Sequence, residues 1–146
     1  VTPGVSSVDL QPFFLQGSAG RIFCVYYGPA GAAAPAAGIL YAPPFAEEMN
    51  KSRRQAALQA RALAAAGYGV LVPDLFGTGD SDGELGDARW DIWLDDLGRA
   101  ADWLQRKAAG RLSLWGLRLG CMLAVDALDM LPHEVDRLLL WQPAVS

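Results

Sequence analysis

Residues 111–120 read Arg-Leu-Ser-Leu-Trp-Gly-Leu-Arg-Leu-Gly, and Cys-Met-Leu-Ala-Val-Asp-Ala-Leu-Asp-Met-Leu follows to Leu131. Leu112 to Trp115 is a short apolar run of strand type, Leu119 to Leu131 has the composition of a helix, and Gly116-Leu117-Arg118-Leu119-Gly120 joins them. In turns that read Gly-x-Ser-x-Gly the glycines let a strand reverse sharply into a helix. The central side chain is then thrust up at the carboxyl end of a sheet. Here the centre is Arg118. A guanidinium is permanently protonated and offers only donors, so it cannot accept an acyl group as a hydroxyl would.

Outward from this turn, the chain alternates strands and helices. Val8 to Leu15 and Arg21 to Gly28 are β-rich runs joined by Gln16-Gly17-Ser18-Ala19-Gly20, which predicts an opening antiparallel hairpin; Pro12 keeps its first strand near an edge. Pro29 to Ala37 reads as an Ala/Gly/Pro loop, followed by a buried strand over Gly38 to Ala42. A helix capped by Asn50 or Ser52 is expected to run to Ala66 and stop at Gly67, with a strand over Gly69 to Pro73 and a Gly/Asp loop over Asp74 to Gly86. Asp87 is placed as the cap of a second helix, where Trp90, Trp93, Leu94, Leu97, Ala101 and Leu104 hold one apolar face until Gly110. A last strand is expected over Arg137 to Gln142. Two antiparallel strands followed by strand-helix units predict an α/β fold, a mostly parallel sheet with helices on both faces and right-handed crossovers.

Composition narrows the function classes. The 146 residues are 52% hydrophobic with five tryptophans, enough for one buried core. A net charge of −4 with no basic cluster beyond Lys51, Arg53 and Arg54 argues against nucleic acid as partner. No apolar stretch reaches the about 18 to 20 residues of a membrane span, and no secretory leader is visible. Cys24 and Cys121 lack metal or redox spacing and read as small buried hydrophobes, which suits a reducing, cytoplasmic setting.

The Gly77-Thr78-Gly79-Asp80-Ser81-Asp82-Gly83 loop, followed by the Gly116–Gly120 turn, resembles the α/β-hydrolase superfamily over the whole chain. More narrowly, Tyr41-Ala42-Pro43-Pro44-Phe45-Ala46-Glu47-Glu48-Met49-Asn50-Lys51-Ser52-Arg53-Arg54, Asp74-Leu75-Phe76-Gly77 and Trp115-Gly116-Leu117-Arg118-Leu119-Gly120 are similar to the exosortase A system-associated hydrolases of the second type. That resemblance implies an α/β-hydrolase-like three-layer sandwich. It implies a hydrolase of ester, thioester or amide bonds found beside exosortase and exopolysaccharide systems, with arginine where the elbow serine stands in the superfamily. It also implies that residues 1–146 are one domain forming the amino-terminal portion of the full fold, lacking its last strands and any cap. No cofactor is implied.

Ligands of open α/β sheets bind at the carboxyl ends of the strands, so the candidate site residues lie just after them. An oxyanion hole needs backbone donors. The Leu119 N–H would supply one and Phe45 or Ala46 the other, since Pro43 and Pro44 have none. Phe45 reads equally well as an aromatic packed on a rigid Pro-Pro turn. Arg118 calls for a carboxylate partner, with Asp74, Glu47 and Glu48 as candidates, or for a ligand carboxylate, phosphate or sugar acid at the helix amino end.

A Ser-His-Asp mechanism finds no support in these residues. The sole histidine, His133, precedes the last strand at the opposite edge of the sheet and reads as a solvated loop residue. Ser113, Cys121 and Ser81 all lie off the apex, and Ser81 is better read as turn chemistry. Asp80, Asp82, Glu84 and Asp87 fail the calcium-loop signature because glycine already stands at 83, so no metal is expected. Two readings remain open: a hydrolase acting on a small-molecule, acyl- or saccharide-linked substrate, and a catalytically silent relative that binds an anionic ligand or partner through Arg118. The last strand would expose Leu138 to Trp141, which predicts self-association through that edge.

Overall fold

A computed structural model describes residues 8–31, 34–45, 47–108 and 110–143, the Glu47 side chain excepted. The strands are β1 (Val8–Gln16), β2 (Arg21–Pro29), β3 (Gly38–Ala42), β4 (Gly69–Pro73), β5 (Leu112–Leu117) and β6 (Val135–Trp141). They form one six-stranded sheet in the order β1-β2-β4-β3-β5-β6. The opening hairpin pairs Val8 with Pro29 through Gln16 with Arg21, and β2 is also antiparallel to β4. From β4 to β6 every pairing is parallel. Pro12 sits on β1, an edge strand, where its missing N–H costs no ladder bond.

The helices α1 (Glu47–Ala65), α2 (Trp90–Lys107) and α3 (Gly120–Met130) complete three layers. Side chains alternate across a strand, and the central strands divide accordingly. Ile39, Tyr41, Val70, Trp115 and Leu117 face α1, which presents Ala56, Ala60 and Ala64 at helical spacing. Leu40, Ala42, Leu71, Leu112 and Leu114 face α2 and α3, meeting Leu97, Ala101, Leu104, Leu123 and Ala127. Every residue of β3 and β5 is buried, as expected of parallel strands covered on both sides. Sheet and helices thus give the expected α/β-hydrolase-like sandwich, and among the described residues no helix is long and apolar enough to cross a membrane.

Two helix starts differ from expectation. α1 begins at Glu47, so Asn50 and Ser52 lie inside it. The Ser52 hydroxyl donates to the Glu48 carbonyl at 2.7 Å, a bond back to the preceding turn instead of a cap. Asp87 closes a single 3-10 turn by donating its N–H to the Glu84 carbonyl. The chain is then extended through Ala88 and Arg89, and α2 opens at Trp90 with no side-chain cap. β5 runs two residues beyond Trp115, carrying the strand up to the apex itself. β6 starts at Val135, two residues before the expected Arg137.

Cys24 and Cys121 are both free and buried. Burial and the carboxylates of Asp74 and Asp96 push the Cys24 thiol up to about 12. Beyond β6 the sheet has no further strand among the described residues, and Leu139, Leu140 and Trp141 are 38–44% exposed. Met122, Val125 and Leu128 of α3 are exposed beside them.

Candidate functional site

The carboxyl ends of β3 and β5 meet at the turn that carries Arg118. The Arg118 backbone has φ 56°, the left-handed region that a side chain with a Cβ rarely adopts. The flanking glycines show why the turn is so tight. A Cβ at Gly120 would lie 2.1 Å from the Ala42 carbonyl oxygen, and one at Gly116 would lie 2.7 Å from Cys121 Cα. The end of β3, the apex and the first turn of α3 are therefore in direct backbone contact. The Arg118 N–H donates to the Trp141 carbonyl at 3.1 Å, tying the apex to β6.

The guanidinium is half exposed. Its Nε donates to Glu48 Oε1 at 3.4 Å and its Nη1 to the Gln142 carbonyl at 3.4 Å. Gln142 is itself left-handed at φ 47°, which turns that carbonyl toward the arginine. Of the three acids expected near Arg118, Glu48 reaches it because α1 begins at Glu47 and swings its first turn over the elbow. The Glu47 side chain lies outside the described residues. Asp74 does not pair with Arg118: its Oδ1 is 3.4 Å from Arg53 Nη2 and its Oδ2 accepts the Asp80 N–H at 3.0 Å. Asp74 follows β4, and the nearest cation there is the one that α1 presents two turns in. The sequence shows the charge of Arg53, beside Lys51 and Arg54, but not its partner.

The Leu119 N–H donates to no oxygen among the described residues, and it opens the amino end of α3. Phe45 packs its ring on Trp93 at 4.3 Å and edge-on to Trp90 at 5.9 Å, so its side chain serves as the aromatic anchor of the Pro-Pro turn.

The neighbouring nucleophile candidates are engaged. Cys121 Sγ is 3.6 Å from the Trp141 carbonyl, and burial raises its thiol pKa. Ser81 bridges the sheet, donating to the Asp74 carbonyl at 2.6 Å and accepting the Phe23 N–H at 2.7 Å. Asp82 accepts the Arg21 N–H at 2.8 Å, and that bond with the guanidinium holds its carboxyl below the usual range. His133 is not a free loop residue: its Nε2 lies 2.6 Å from Asp102 Oδ1, in the last turns of α2 and away from Arg118.

A carboxylate inside the apolar stripe of α2 escaped the sequence reading. Asp96 is 0% exposed; its Oδ2 accepts the Phe76 N–H at 2.9 Å while Oδ1 has no partner among the described residues. Burial raises its carboxyl pKa to about 6, against the opposing pull of the Phe76 bond. With Trp93 Nε1 donating to the Phe76 carbonyl at 2.8 Å, it clamps the β4–α2 loop from below. Its neighbours Asp95 and Leu97 gave no periodic signal for a buried acid.

A family model described as Hydrolase_4, Serine aminopeptidase, S33, matches residues 33–146. Among solved structures, a hypothetical protein from Pseudomonas aeruginosa superposes with a TM-score of 0.74 at 20% identity, over 95% of this chain and 44% of its own. An α/β serine hydrolase without a lid, from Xanthomonas campestris, gives 0.74 at 21% identity, over 90% and 60%. The thioesterase domain of the curacin biosynthetic pathway gives 0.71 at 26%, over 92% and 47%. The chain thus spans 44–60% of the length of these structures. No curated protein is significantly similar to it.

Proposed function

The chain belongs to the Hydrolase_4 serine aminopeptidase family, within the α/β-hydrolase superfamily, and from that premise we propose that it is a hydrolase of the exosortase A-associated type in which Arg118 stands in place of the elbow serine. Its substrate is an ester, thioester or amide linked to surface polysaccharide or to an exported protein. The observation that carries this reading is the elbow: Arg118 at φ 56° between two glycines whose positions admit no Cβ. A turn of such close fit is what nucleophile presentation requires. Arg118 holds an anionic group of the substrate, and the Leu119 N–H, with the N–H of Phe45, faces the carbonyl oxygen that becomes negative when water adds to the acyl carbon.

A panel of acyl esters, thioesters and amides tests this with the full-length protein. Turnover that falls at least tenfold in Arg118→Ala supports it. No turnover on any member of the panel overturns it.

The absence of a nucleophile at the apex favours a second reading, a silent relative that binds an anionic ligand through Arg118. Gain of esterase activity in Arg118→Ser of the longer parent protein would show that the remaining machinery survives. Self-association through β6 follows from its exposed Leu139, Leu140 and Trp141. Sedimentation of residues 1–146 as a monodisperse monomer at tens of micromolar would contradict it.

A further inference from the structure

Three segments meet at the carboxyl group of Asp96, and one of its oxygens is left over. The side chain is fully buried. Oδ2 accepts the Phe76 N–H at 2.9 Å, which fixes the β4–α2 loop to α2. Oδ1 lies against the hairpin turn, so close that a Cβ on Gly17 would be 2.8 Å from it, and has no hydrogen-bond partner among the described residues. Loop and hairpin are joined again further out. The Asp82 carboxylate accepts the Arg21 N–H, the Asp82 N–H donates to the Arg21 carbonyl, and the Ser81 hydroxyl accepts the Phe23 N–H. Hairpin turn, loop and helix thus form one unit with a single carboxyl group at its centre.

Charge on that carboxyl group finds little compensation. Asp95 and Arg99, the charged residues of its own helix that act on it, pair with each other at 2.7 Å, and Arg99 also reaches the Gln16 carbonyl at 3.4 Å. From β2 the neighbour is Cys24, whose thiol is kept neutral by burial and by the carboxylates of Asp74 and Asp96. The hairpin turn offers the backbone of Gly17, and the loop only the N–H of Phe76. A neutral carboxyl group with one idle oxygen is tolerable there, whereas an anion with one donor is not. We propose that Asp96 is a proton-operated latch, closed while the carboxyl group holds its proton and released when the proton leaves, so that the β4–α2 loop and the hairpin turn open together as the pH rises. The release extends to Trp93, whose Nε1 donates to the Phe76 carbonyl at 2.8 Å and whose ring carries Phe45. The turn after β3 is therefore looser in alkaline than in acidic solution. The inference stands apart from what Arg118 binds.

Amide hydrogen exchange of the full-length protein, read residue by residue by NMR and corrected for the intrinsic pH dependence of exchange, tests the latch. Asp96 titrates at about 6 when enclosed and at the ordinary 3.8 when open. The opening constant of the Gly17 and Phe76 amides and of the Trp93 indole N–H should therefore rise about tenfold between about pH 5 and about pH 8. The amides of β3 should show no such rise. Asp96→Asn keeps an oxygen for the Phe76 N–H and cannot ionise, so its profile should be flat. The carboxyl carbon shift of Asp96 in the parent needs no variant, and its midpoint should lie near 6. A flat profile in the parent, a rise retained in Asp96→Asn, an equal rise in β3, or a carboxyl midpoint in the ordinary range overturns the latch. A flat Trp93 indole beside responsive Gly17 and Phe76 overturns its extension to Phe45.

Discussion

Two regions at the carboxyl edge of the sheet, the β4–α2 loop and the β5–α3 elbow, carry ionic groups yet are held together by different forces. The loop is fixed by carboxylates sunk below the surface. Asp74 is 4% exposed and takes Arg53 and the Asp80 N–H, while Asp96 is fully buried and takes the Phe76 N–H. The elbow is fixed by steric fit between backbones, and its ion pair remains half exposed. Buried carboxylates that hold loop backbone serve the fold and are expensive to disturb, whereas an exposed pair adds at most about 1 kcal/mol to stability. Charge at the elbow is therefore available to a ligand in a way that charge in the loop is not.

The sharpest way to break this contrast is Gly120→Ala. The added Cβ has a backbone carbonyl 2.1 Å away and no flexible side chain to push aside. A loss of about 3 kcal/mol in urea unfolding is expected, as for severe overpacking. Asp74→Ala should follow at about 2 kcal/mol, because it strands the Asp80 N–H and removes the partner of Arg53.

Asp96 gives a smaller effect with a distinctive sign. Its folded pKa of about 6 lies above the ordinary 3.8, so the folded state holds this proton more tightly than the unfolded chain does. Its contribution is complete below pH 3.8 and is lost as the pH rises through about 6. The melting temperature of Asp96→Asn, measured against the parent, should improve between those limits and then level off. A difference that stays flat with pH would show that the carboxyl is not perturbed. Glu48→Ala should be the mildest change, within about 1 kcal/mol in the same unfolding assay. A larger loss would mean that the elbow pair is as structural as the loop's.

Much of this architecture was legible in the sequence, and the parts that were not share a cause. β3 and β4 fall where expected because Gly38, Gly69 and Pro73 punctuate continuous apolar runs. The elbow was legible because glycine spacing constrains the backbone covalently. Helix starts were not, since Asn50, Ser52 and Asp87 are all competent caps and only the path of the preceding chain decides among them. Partner choice was hidden for the same reason. Glu48 and Asp74 both follow strands at the same edge, and which one meets Arg118 depends on where α1 begins. Asp96 could not be found at all, because its acceptor duty is owed to a loop twenty residues earlier in the chain.

The two buried cysteines have a practical corollary. Cys24 is fully enclosed with its thiol pushed to about 12, and Cys121 is 2% exposed with a raised pKa. Neither presents thiolate to a reagent at neutral pH while the sheet is closed, so alkylation waits on opening. Cys24 sits on β2, near the hairpin edge, and Cys121 on α3, beside the elbow. The chain thus carries two native chronometers, and mass-resolved labelling of each would time the loosening of the hairpin and of the elbow separately, without a single engineered probe.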